Sequence, residues 1–183
     1  MLSSLARFKG LLGPEADIFA DDELIMLLKA ASNAIERHCM RSFKRQEYTE
    51  YLNGHQNSPY LNLRNYPVHK VLLVKSEDSV IDDGYKCFEN GRLYRADGWP
   101  QGCHNIEVTY VGGYVLPSDE TSENPRTLPE DIEIACILYA QILSRNHGVK
   151  SERVGDISVT YDDSGNDLPA SVQALIHPYV RYA

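Results

Sequence analysis

No apolar run in this chain approaches the ~18–20 residues that span a bilayer, so no membrane-spanning helix is expected. Nor does the start, MLSSLARFKGLLG, read as a leader. Arg7 and Lys9 interrupt its apolar stretch, and no small-residue cleavage site follows. Cysteine is scarce and scattered, at Cys39, Cys87, Cys103 and Cys136. A chain of 183 residues that is 43% hydrophobic does not need a disulfide framework, and free thiols in a reducing cytoplasm are expected. Positive charge is also short: 18 basic against 26 acidic residues give a net charge of −8. A protein that grips nucleic acid needs a basic face, whereas like charge lets DNA pass without sticking. Internal repeats and low-complexity tracts are absent.

Motifs of catalysis are missing as well. Gly112-Gly113 has no third glycine, no following lysine and no immediate helix, so it reads as a strand exit and not as a phosphate loop. His38-Cys39 and Cys103-His104 lack the ligand spacing of structural zinc. Asp82-Asp83 and Asp162-Asp163 sit in turn-like sequence, where Asp stabilises the turn itself. No Ser, Cys or Thr lies in a nucleophile motif. These readings predict no catalytic, cofactor-binding or metal residues, and no cofactor.

The residues that are present organise into three parts. Residues 1–20 form an N-terminal arm, set off by Gly10, Gly13 and Pro14 and with a short helix near Leu2–Phe8. A helix is predicted from about Asp22 to about Arg41, with Asp21 or Asp22 as its N-cap. Leu24, Leu28, Ala31, Ile35 and His38 share one face of it. Arg37, Arg41, Lys44 and Arg45 gather beyond its end, where cations complement the dipole or meet an acidic partner or DNA phosphate. From residue 45 to 114 the periodicity alternates. Five or six short strands are expected there, in a small antiparallel sandwich or barrel with Glu89-Asn90-Gly91-Arg92 as its sharpest turn.

Helix returns at LPEDIEIACILYAQILSRN, opened by Pro129 and broadly apolar around Ile132, Ile137 and Leu143. The tail alternates Ile157, Val159 and Tyr161, then closes with the helical LPASVQALIHPYV. The predicted fold class is therefore α+β: a small helical bundle (21–44 and 115–183) with an inserted antiparallel β unit (45–114) and a C-terminal strand-plus-helix tail.

The order of segments resembles the head–tail connector (adaptor) family of tailed bacteriophages and prophages. LLKAASNAIERHCMRSF, LRNYPVHKVLLV, VTYVGGY, LPEDIEIACILYAQIL and VGDISVTYDDSGNDLPASVQALIHPYV carry the resemblance, over about Asp21 to Tyr182. The stretch from Asn53 to Asn105 is longer than in compact members. The resemblance implies a structural protein of the virion neck, assembled in the host bacterial cytoplasm. It implies a ring of about twelve copies below the portal protein. Such a ring extends the DNA channel, docks a downstream neck or tail protein, and passes double-stranded DNA without sequence-specific binding.

Residues proposed for subunit or partner contacts are Ile157, Val159 and Tyr161 in the tail strand and Ile137 on the broad helix. Arg41, Arg45 and Tyr179 complete the set. The alternatives are another neck or tail-completion protein, or a ligand-binding or enzymatic domain built on the β unit.

Overall fold

A computed structural model describes residues 1–77, 79–145, 151–154, 157–160 and 168–181. The fold is α+β, as the pattern of periodicities predicts, and the chain divides into two compact units. Residues 1–40, 117–120 and 128–183 make a helical unit; residues 41–116 and 121–127 make a β unit.

In the helical unit, α1 (Leu5–Leu12) is capped by Ser4, whose hydroxyl accepts from the Arg7 amide at 3.3 Å. A 3-10 turn over Gly13–Ile18 leads to α2 (Asp21–His38). Residues 1–20, expected as an arm, bury Leu2, Phe8, Leu12 and Ala16. Ala20, not Asp21 or Asp22, occupies the N-cap of α2. The Glu23 carboxylate instead reaches back to accept from the Ala20 amide at 3.1 Å, as the acid of a capping box does. The predicted stripe is buried over most of its length: Leu24, Leu28, Ala31 and Ile35 are fully covered, while His38 is only partly so. The helix stops at His38, earlier than expected, because Met40 turns to φ +52.

α3 (Glu130–Arg145) starts just after Pro129 and packs against both α2 and α4 (Ala170–Ile176). Its breadth of apolar surface accounts for the two neighbours. A buried polar cluster ties the start of the chain to α2 and α3. Leu2 donates its amide to Ser32 Oγ at 3.0 Å, and Ser3 Oγ donates to Glu133 Oε1 at 3.2 Å. Arg7 pairs with the other Glu133 oxygen, so this buried carboxylate is compensated as burial demands. Cys136, on the same helix, has its thiol pushed up to about 11 by burial, against the opposing hydrogen bond from Ser32. The tail contributes a two-stranded antiparallel hairpin, β8 (Ser151–Val154) with β9 (Ile157–Thr160).

The β unit holds β1 (Gln46–Gly54), β2 (Tyr60–Asn62), β3 (Val68–Ser76), β4 (Ser79–Val80), β5 (Tyr85–Cys87), β6 (Arg92–Arg95) and β7 (Gly102–Gly112). They form two antiparallel sheets, ordered β1-β7-β3-β4 and β2-β6-β5. Alternation along β7 buries Ile106, Val108 and Tyr110. One core unites both sheets: Leu61 and Leu93 come from the smaller, Val74 and Val108 from the larger, with Trp99 beside them. Trp99 Nε1 donates to the Pro59 carbonyl at 3.2 Å, which satisfies its buried ring.

Tyr110 is the polar centre of this core. Its hydroxyl donates to Glu50 and accepts from the Asn65 amide at 3.0 Å, while Glu50 accepts from the Arg64 amide at 2.9 Å. Burial, then the bond to Glu50, holds the phenol well above its ordinary value.

Candidate functional site

The glycine pair that ends β7 is a structural corner. A Cβ on Gly112 would lie 2.1 Å from the Asn65 carbonyl oxygen, and one on Gly113, at φ +94, would lie 2.4 Å from that of Lys44. Backbone approaches this close leave room only for glycine. Beyond the pair, Tyr114 donates to Phe43 O and its carbonyl accepts from the Arg45 amide, both at 2.7 Å. These bonds form a parallel bridge between Lys44 and Tyr114.

Among the described residues, no group of three His, Cys, Asp or Glu side chains forms a metal site. Cys39 and Cys136 are buried, while Cys87 and Cys103 are exposed free thiols. Asp82 and Asp83 are exposed, whereas Asp162 and Asp163 lie outside the described residues.

The residues proposed for contacts fall in both units. Arg41 is buried at 3% exposure. Its guanidinium lies 3.5 Å over the Tyr66 ring and 4.9 Å from the Phe43 centroid, and donates to the Tyr66 carbonyl. The expected cluster of helix-end cations is thus divided, with Arg41 drawn into the β unit and Arg45 exposed. Ile137 is buried within the helical unit. Tyr179 is half-buried, and its phenol is raised by burial and then by the charge of Asp131. Ile157 and Val159 both lie on β9, paired with Val154 and Glu152. Tyr161 lies outside the described residues.

Two surfaces escaped the sequence reading. One is an open apolar groove of about 640 Å³ on the helical unit, lined by Ile18, Phe19, Glu23, Met26, Leu27 and Ala30. Ile18 is 77% exposed and Met26 69%. Positions 23, 26, 27 and 30 follow helical spacing, so a second, weaker stripe on α2 was the available signal. The core stripe masked it. The other surface is the outer face of the small sheet. Tyr60 and Tyr94 stand opposite one another with ring centroids 5.3 Å apart, Lys86 pairs with Tyr94, and Arg92 lies 5.7 Å from the Tyr60 ring.

A sequence model of the head completion proteins matches residues 3–182, nearly the whole chain. The chain belongs to the head completion protein family. The resemblance to head–tail connectors is borne out at that level. Among curated proteins, none matches this member of the family.

Its fold recurs in solved particles. A chain in the virion of a native gene transfer agent (GTA) particle superposes with a TM-score of 0.65 at 18% identity, covering 100% of this chain and 91% of that one. A chain in the neck of an empty GTA particle, computed with C6 symmetry, gives 0.63 at 17% identity, with 100% and 91% covered. A chain in the neck of a native GTA particle, computed with C12 symmetry, gives 0.62 at 17%, with 98% and 88% covered. This head completion protein therefore has the fold of a phage-like neck component.

Proposed function

We propose that this head completion protein is a structural adaptor of the virion neck. It assembles as a ring of about twelve copies beneath the portal protein, extends the DNA channel and docks the next neck or tail protein. It works by assembly and not by catalysis. The observation that carries this reading is the family match over residues 3–182. The full-length likeness to chains from GTA necks, one of them computed with C12 symmetry, supports it. The net charge of −8 suits a channel through which double-stranded DNA slides without being held.

A ring requires one patch of each copy to meet a different patch of the next. The β8–β9 hairpin offers strands for pairing, and β1 stands at the edge of its sheet with nine residues. A strand added to such an edge gains main-chain hydrogen bonds. The test replaces Ile157, Val159 and Tyr161 with aspartate and measures assembly on purified portal. Loss of the ring, with an unchanged circular dichroism spectrum and melting midpoint, is expected. Full assembly by the triple variant removes this strand from the interface.

A further inference from the structure

We infer that neighbouring copies join through a heterologous contact in which the β5–β6 hairpin tip of one copy, led by Phe88, seats in the α2 groove of the next. This contact rests on the ring reading and gives it a specific pair of surfaces. The groove is apolar and open, and its most exposed linings, Ile18 and Met26, are side chains that association would cover. The rim is acidic on balance: residues 15–26 carry Glu15, Asp17, Asp21, Asp22 and Glu23 and no basic residue. Although Lys9 pairs with Asp21 and Arg145 with Glu15, Asp17, Asp22 and Glu23 outnumber the nearby Lys29. Two grooves meeting face to face would oppose these acids, which argues against a two-fold contact and for a different patch on the partner.

The hairpin tip has the complementary character. Residues 85–95 carry Lys86, Arg92 and Arg95 against one acid, Glu89. Phe88 is 46% exposed at the tip. Phe88 and Arg92 are joined by the bond from the Phe88 amide to the Arg92 carbonyl at 2.8 Å, and Gly91 at φ +84 closes a three-residue loop. A tight loop of this kind presents its apolar side chain with little entropy left to lose.

Charge also separates Phe88 from two other exposed apolar candidates. Tyr51 shares its face of β1 with Glu47, and Val80 is followed by Asp82 and Asp83, so each would carry acid toward an acidic rim. Phe88 is followed by one acid, Glu89, but its hairpin brings three cations, Lys86, Arg92 and Arg95. At about 640 Å³ the groove falls within the range that accepts a bulky side chain and its flanks.

Directed cross-linking of the full-length protein tests the pairing. With the exposed Cys87 and Cys103 changed to serine, Met26→Cys and Phe88→Cys are introduced singly and together, and the proteins are assembled on portal and mildly oxidised. The contact predicts a ladder of cross-linked oligomers from the double variant and none from either single variant. Cross-linked dimers from a single variant would mean a two-fold contact and overturn the inference. Rings of normal mass without a ladder would overturn it while leaving the ring reading intact. Monomers only, in wild type and variants alike, would overturn the ring reading itself. As a second readout, Phe88→Glu and Met26→Glu each weaken assembly at least about tenfold, the scale of a central anchor, while Val80→Glu, at an exposed position, leaves it unchanged. Assembly by Phe88→Glu at wild-type concentrations would refute the role of the tip.

Discussion

Gly113→Ala probes the corner where the last strand of the β unit hands the chain on. The new Cβ would sit 2.4 Å from Lys44 O and 2.8 Å from Phe43 O, both backbone atoms that no side-chain rotation can move aside. Holding an alanine at positive φ costs about 1–2 kcal/mol by itself. Relieving the overlap opens the Lys44–Tyr114 bridge and endangers its two bonds of 2.7 Å, at about 1 kcal/mol each. The expected loss is therefore about 3–4 kcal/mol.

The single tryptophan, Trp99, is buried in the same unit, so urea unfolding followed by its fluorescence reads this loss directly. Hydrogen exchange at the Tyr114 and Arg45 amides should accelerate in parallel. Gly10→Ala is the control, because a Cβ there meets nothing within 4 Å on a helical residue and should stabilise by about 0.5–1 kcal/mol. A loss below about 1 kcal/mol for Gly113→Ala, with exchange at both amides unchanged, would refute the steric argument.

Three further outcomes are expected. Leu28→Ala, at a fully buried position, should cost about 2–5 kcal/mol, and an unchanged denaturation midpoint would remove Leu28 from the core. Cys136 should make stability fall with rising pH. The unfolded thiol ionises near its ordinary value of 9.0 and the folded one only at about 11. The unfolded state therefore holds fewer protons between those values, and about 2–3 kcal/mol is lost across that window. Cys136→Ala should remove that part of the slope, and parallel curves for the two proteins would contradict the assignment. Arg41→Lys should destabilise the β unit by about 1–2 kcal/mol, since an ammonium cannot stack on Tyr66 and Phe43 as a guanidinium does. A neutral result by Trp99 fluorescence would show that the stack contributes nothing.

Local pattern carried much of the fold. The spacing of Leu24, Leu28, Ala31 and Ile35 identified the buried face of α2, and Asn90-Gly91 marked a tight turn, made as a three-residue loop in which Gly91 of the pair takes the positive φ. Gly112-Gly113 was legible as a strand exit, although its two close backbone neighbours, Asn65 and Lys44, are far away in sequence and became visible only in three dimensions. Arg41 shows the limit most clearly. Its place four residues after Arg37 suggested a solvated helix end, but Met40 ends the helix, and the neighbouring Phe43 ring and the sequence-distant Tyr66 ring capture the guanidinium. The α2 groove was hidden for a related reason: an apolar residue at position 26 signals core or surface only once the neighbours that would cover it are known. The exposed Phe88 likewise looked like any strand residue until its sheet was seen to end there.

Formation of a closed ring on the portal is the central expectation, and native mass spectrometry of the two purified proteins mixed together tests it most directly. The chain has a mass of 20.7 kDa. A portal-bound increment of about twelve copies, roughly 250 kDa, is the predicted result. A protein that stays at 20.7 kDa, with and without portal and at every concentration, would contradict it.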